Sequence, residues 1–180
     1  MRLVRRCVVA AVVLPLMAAG CSDDPQPKFE PSPSDSPSQS TSDPAEPKAW
    51  EVKSEKGAVA FTKHWIDVFN DAAASGDTDA LTDLASPACQ TCKNFVDLID
   101  GIYADGGQYQ SAGWVVVGTS SAHDLPANEA SVAMRIRQPA ERITRPGQPV
   151  ERHDSATVTY SARLGWEDGQ WQMQRLLFLS

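Results

Sequence analysis

Long apolar runs are missing from this chain of 180 residues. The longest, from Cys7 to Ala19 with Pro15 inside it, would reach about 20 Å as a helix, short of a hydrocarbon core of roughly 30 Å, which argues against a permanent transmembrane helix. Positive charge is also scarce. Sixteen Lys+Arg stand against 23 Asp+Glu, a net charge of −7, and phosphate-backbone binding draws on clustered Lys/Arg, so nucleic acid is not an expected partner. Cysteine is limited to four residues. Only Cys89 and Cys92 are closely spaced, and His64, His123 and His153 lie far apart, so a zinc ligand set is not assembled in the sequence. The chain has no G-x-S-x-G, G-x-G-x-x-G, P-loop or H-E-x-x-H motif, which removes the commonest motif-based enzyme assignments. These absences lead to an expectation of no cofactor, no metal and no catalytic residue.

What is present begins with an address. Arg2, Arg5 and Arg6 precede the apolar run, and Ala18-Ala19-Gly20-Cys21 follows it, the pattern of an export signal over residues 1–20. Small residues directly before a Cys resemble the lipobox of bacterial lipoproteins. That resemblance implies that Cys21 receives a thioether-linked diacylglycerol and becomes the first residue of the mature chain. Ala18 stands where Leu is usual in the lipobox; ordinary cleavage, leaving a secreted protein with a free Cys21, is the alternative. Two acyl chains suffice for lasting membrane attachment where one does not, so the expected location is the extracytoplasmic face of the cell membrane. Removing residues 1–20 takes away those three Arg and no acid, leaving 13 basic against 23 acidic residues, a net −10.

Residues 21–49 read as a tether. Positions 22–48 hold seven Pro, seven Ser, six acidic residues and two basic ones, with Phe29 the one large apolar side chain; no core can form there. Such a segment would span about 80 Å as a polyproline II rod or about 30 Å as a flexible coil. From 50 to 180 the composition becomes that of a folded domain.

Ala58, Phe61, Trp65, Phe69 and Ala72 recur at steps of three and four, predicting a helix over 55–75 stopped by Gly76. Asp77 is placed to cap a short second helix through Leu81 and Leu84, ending before Pro87. A third helix is expected over 90–104, ended by Gly106-Gly107. Periodicity then changes to strands at 114–117, 131–137, 157–164 and 170–179, with Glu167-Asp-Gly169 as a tight turn. Helices first and a mainly antiparallel sheet afterwards is an α+β order. This order resembles the NTF2-like fold, a curved sheet wrapped around helices so that a conical cavity can open between them. More narrowly, Gly76-Asp77-Thr78, Ser86-Pro87-x-Cys89-x-x-Cys92, Tyr103-Ala-Asp-Gly-Gly107 and Trp114 resemble an uncharacterised family of actinobacterial lipoproteins, classed as a domain of unknown function (6318). The resemblance implies lipid anchoring and that fold, and no activity.

Three groups of residues carry chemistry worth testing. Cys89 and Cys92 meet an oxidising compartment after export, so a structural disulfide is the default; an exchangeable redox pair or a metal-binding pair are the alternatives. Trp65, Trp114, Met134, Tyr160, Trp171 and Met173 would line the concavity, either as the wall of an apolar pocket or as ordinary core filling. Arg135, Arg137, Arg142, Arg145 and Arg152 fall within eighteen residues, interspersed with Glu141 and Glu151, as a patch for an anionic partner or as a solvated hairpin. His64 and Asp67, one helical turn apart, would be an acid/base pair only if they faced a cavity. The function expected is that of a surface-displayed lipoprotein whose non-catalytic domain binds an envelope protein or wall component. A carrier of a small apolar ligand is the alternative, and an enzyme ranks behind both; the oligomeric state is not set by the sequence.

Overall fold

The structure, a computed structural model, describes residues 46–123 and 125–179; the export signal, Cys21 and most of the tether lie outside the described residues. A single 3₁₀ turn over Ala49–Glu51 leads into helix α1, Glu55–Ser75. Ser54 starts α1 by accepting a hydrogen bond from the Gly57 N–H at 3.0 Å, which satisfies one of the unpaired donors of the first turn. Its buried stripe is the one the spacing predicts, Ala58, Phe61, Trp65, Phe69 and Ala72, with Ile66 beside it. The helix stops at Gly76, whose φ of 82° closes the last turn onto the Ala72 carbonyl. A Cβ there would also meet the Tyr103 ring at 2.5 Å, so both backbone sign and space require glycine.

Helix α2, Asp79–Asp83, is a single turn that follows Thr78, whose side chain makes no capping hydrogen bond. The Asp77 carboxylate instead accepts from the Asp79 N–H at 3.2 Å, and the Thr78 hydroxyl is committed to Asp100 on the next helix at 2.8 Å. Helix α3, Gln90–Ala104, begins at the Cys89–Cys92 disulfide. Tyr103 near its end donates to the Ala73 and Ala74 carbonyls of α1. Several residues of the motifs quoted above, Gly76, Thr78, the two cysteines and Tyr103, thus fasten the helices to each other.

Seven strands follow: β1 Gln108–Gln110, β2 Val115–Ser121, β3 Glu129–Gln138, β4 Glu141–Thr144, β5 Glu151–His153, β6 Ala156–Glu167 and β7 Gln170–Leu179. They form a four-stranded sheet in the order β2-β3-β6-β7 and a three-stranded one in the order β1-β4-β5, every pairing antiparallel. Pro139 and Ala140 separate β3 from β4; a proline has no N–H to give a ladder, and the chain passes there from one sheet to the other. Asp168 and Gly169, at φ 50° and 84°, make the β6–β7 turn with the positive φ pair that matches strand twist. The β7 edge is partly covered: Met173 N–H donates to the Leu84 carbonyl and its own carbonyl accepts from Ser86 N–H, which removes free backbone groups from an exposed edge.

Alternation along the strands sets the core. Val132, Met134 and Ile136 of β3, Tyr160, Ala162 and Leu164 of β6, and Trp171, Met173 and Leu176 of β7 all point inward and are buried against α1 and α3. Each large side chain so buried contributes on the order of 2 kcal/mol. The architecture is α+β and NTF2-like: three helices laid in the concavity of a curved antiparallel sheet.

Candidate functional site

Of the two readings open for the six large side chains, pocket wall or core filling, all six belong to the buried core cluster. Trp65, Met134 and Met173 are 0% exposed and packed in the core. Trp171 is buried, with its indole N–H donated to the Val52 carbonyl at 3.0 Å. Trp114 and Tyr160 lie together at the rim of the concavity, where a second group of residues joins them. Among the described residues, the indole nitrogen of Trp65 is the one buried side-chain polar atom without a partner.

That rim is built from elements far apart in sequence. Asn70 of α1 donates from Nδ2 to the Trp114 carbonyl at 2.9 Å and accepts from the Trp114 N–H at 2.7 Å. Gly113, at φ 84°, lies against the same amide, which a Cβ would approach to 3.2 Å. With its backbone clamped, Trp114 directs its indole N–H to Glu141 Oε1 of β4 at 2.6 Å. Its ring continues an aromatic column: Trp65 stacks on Phe69 at 6.0 Å, Phe69 meets Trp114 at 4.5 Å, Trp114 meets Tyr160 at 5.9 Å, and Tyr160 meets Phe178 edge-on at 5.7 Å. The column runs from the centre of the core to Phe178, which is 61% exposed.

Two phenols face Glu141. Burial, then the hydrogen bond and charge of Glu141, push the Tyr109 phenol far up, with a bond to Trp114 opposing. Burial also raises Tyr160, a hydrogen bond to Gln138 opposing it and the Glu141 charge adding to it. Both phenols therefore stay neutral near pH 7, and Glu141 accepts from the Trp114 indole. A carboxylate held this way anchors the indole of Trp114 at the rim. Beside it opens a groove of about 430 Å³ bounded by Asn70, Ala73, Tyr109, Gly113 and Trp114. Tyr109, Gln138, Glu141, Asn70 and Phe178 were not singled out by the sequence reading; the signal lies in the pairing of β1 with β4, which sets Tyr109 opposite Ile143.

His64 and Asp67 point away from the core. The His64 ring stacks on Trp50 at 4.1 Å, Lys48 lies over the Trp50 ring at 5.3 Å, and Asp67 is exposed. Desolvation lowers the His64 pKa, with Asp67 and Glu51 opposing it and Lys48 adding to it. A second groove, about 390 Å³, lies between the start of α1 and the β2–β3 connection. There Glu55 accepts from the Ser121 hydroxyl and stands 3.9 Å from His123 Nδ1. A carboxylate between hydroxyl and imidazole is the wrong order for activating the hydroxyl, which needs the imidazole in the middle.

Cys89 and Cys92 form a disulfide, and both are buried. The bond joins the α2–α3 connection to the first turn of α3. Among the described residues no three His, Cys, Asp or Glu side chains converge as a metal site. The arginine group divides: Arg135 and Arg137 stand on the outer face of β3, whereas Arg142 and Arg152 oppose each other across β4–β5 and Arg145 pairs with Glu151.

Comparison with known proteins places this geometry. A model described as "Family of unknown function (DUF6318)" matches residues 27–176. The chain belongs to DUF6318. No curated protein matches this DUF6318 chain. Among solved structures, the intermembrane space region of the chloroplast protein ARC6 is similar at a TM-score of 0.53 and 14% identity, over 71% of this chain and 97% of that one. An NTF2-like protein with a cystatin-like fold from Novosphingobium aromaticivorans is similar at 0.40 and 14%, over 66% and 78%. The beta subunit of benzoate 1,2-dioxygenase from Burkholderia mallei is similar at 0.46 and 10%, over 68% and 87%. At these identities the likeness concerns fold and carries no activity to the DUF6318 chain.

Proposed function

We propose that this DUF6318 protein is a lipid-anchored lipoprotein on the extracytoplasmic face of the membrane, whose NTF2-like domain is a non-catalytic binding module. The observation that supports it is the filled concavity: Trp65, Met134, Ile136, Leu164 and Met173 occupy the space between helices and sheet. With that volume taken by side chains, recognition falls to the outside of the domain, to an envelope protein or wall component. The grooves described above are open clefts at its surface, and the carboxylate in the rim, Glu141, accepts from the Trp114 indole. Attachment rests on Cys21 following Ala18-Ala19-Gly20 and on the dual-acyl requirement for stable anchoring. Metabolic labelling with palmitate tests it: label enters the wild-type chain and is lost in Cys21→Ala, which then leaves the membrane fraction. Unlabelled wild-type chain in the culture medium would remove the anchoring part of the reading.

A further inference from the structure

The outer face of the four-stranded sheet gathers the side chains that the rest of the domain keeps apart. Strand register places Val115, Arg137 and Thr157 in one row, Gly118, Arg135, Thr159 and Leu179 in the next, then Ser120, Ala133, Ser161 and Leu177. Val117 bulges out at the β2 edge. Four of the eight exposed large apolar side chains of the described residues, Val115, Val117, Leu177 and Leu179, border this end of the outer face, while Phe178, paired with Tyr160, lies on the inner one. Leu98, Val52 and Val150 are the others, on α3, at the N-terminal turn and on the β4–β5 connection.

Arg135 and Arg137 rise between these apolar borders, about 7 Å apart along the strand. Shallow depressions flank them, one of about 210 Å³ floored by Gly118, Ser120 and Ala133, the other of about 500 Å³ bounded by Pro139, Ala140 and Ala156. One further row away Arg175 stands opposite Arg163. Arg163 lies 3.6 Å from Glu129, but Arg135, Arg137 and Arg175 have no ion-pair partner among the described residues. Every cationic residue after Lys93 is an arginine, the side chain whose planar fork matches phosphate oxygens. All of this belongs to a chain of net charge −7, so the cationic end is a local exception.

We propose that the outer face at this end of the sheet docks on the surface of an anionic phospholipid bilayer, the Val and Leu side chains entering the interface and Arg135 and Arg137 meeting lipid phosphates. Both signals are of the kind that adds at a membrane surface, apolar burial and attraction of basic side chains to anionic lipid. A second copy of the chain presenting the same face would set Arg135 and Arg137 against their own equivalents, which like-charge repulsion disfavours. The proposal deepens the surface-recognition reading and makes the partner a membrane surface. It does not depend on acylation, so its test uses chain without the anchor.

Residues 21–180 carrying Cys21→Ser are sedimented with vesicles of equimolar phosphatidylglycerol and phosphatidylcholine, and with vesicles of phosphatidylcholine alone. The expected result is binding to the anionic vesicles only, reversed by about 0.5 M salt, and weakened on the order of tenfold by Arg135→Gln with Arg137→Gln. Leu177→Ser with Leu179→Ser weakens binding while leaving the salt dependence, and Lys93→Gln on α3 changes nothing. Light scattering of the same samples reports a monomer. Equal binding to both vesicle types, no binding to either, an arginine variant that binds as the parent does, or a dimer abolished by Leu177→Ser with Leu179→Ser would overturn the proposal, the last in favour of a second copy.

Discussion

Asn70 holds Trp114 by both of its main-chain polar groups, its amide donating to the Trp114 carbonyl and accepting from the Trp114 N–H. Forty-four residues separate the two, and this pair fixes the first strand-side residue of the rim against α1. Asn70→Ala would leave both groups without partners in a part-buried setting, at a cost of about 2 to 4 kcal/mol. Asn70→Asp keeps the acceptor and loses the donor, and should cost less. Urea denaturation of the three proteins checks the order; an Asn70→Ala chain as stable as the parent would remove the clamp from the account.

Gly76 and Tyr103 form a second lock. Gly76→Ala meets both the positive φ and the phenol ring, and is expected to destabilise by more than the roughly 1 kcal/mol of a left-handed backbone alone. Adding Tyr103→Ala relieves the steric part but also loses the hydrogen bonds to Ala73 and Ala74, so a double-mutant cycle should show coupling of 0.5 kcal/mol or more. Additive effects would mean that the ring can move aside.

The Cys89–Cys92 bond closes a short loop, for which chain entropy gives about 2 kcal/mol. The Cys89→Ser, Cys92→Ser double variant should therefore fold, with a denaturation midpoint lowered in line with that loss. Because both residues are buried, the native protein should resist a mild dithiol reductant until denaturant is added. Rapid reduction of the folded chain would favour an exchangeable pair.

His64 stacked on Trp50 carries a pH signature. Its folded pKa lies below the ordinary value of 6.5, so the unfolded chain takes up the proton first as pH falls. The stabilising contribution is full above 6.5, declines as pH drops below it, and stops declining below the folded value. An NMR titration should place His64 below 6.5 and show it moving back toward that value in Trp50→Ala, where the ring regains solvent. A His64 value at or above 6.5 in the parent protein contradicts the stack as drawn.

The helices were legible because their apolar residues recur at three and four, and because Gly76 and Pro87 mark where the first two stop. The long strands were legible from alternation, with Met134 and Ile136 inward and Arg135 and Arg137 outward. β1, β4 and β5 were not: at three or four residues each they are too short for a period to show, and they exist through their mutual pairing. The rim cluster shares that reason. Asn70 on an amphipathic helix reads as a solvated polar residue, and Glu141 as one acid among arginines, until register places them around Trp114. Whether Trp65, Met134 and Met173 wall a pocket or fill the core was left open by composition, since both need the same side chains; packing against α1 and α3 decides it.

The most direct measurement is native mass spectrometry of the protein purified gently from membranes. The account predicts a chain beginning at Cys21, carrying diacylglycerol at that residue and no other small molecule. An unmodified Cys21, or an apolar compound retained by the folded domain, would contradict it.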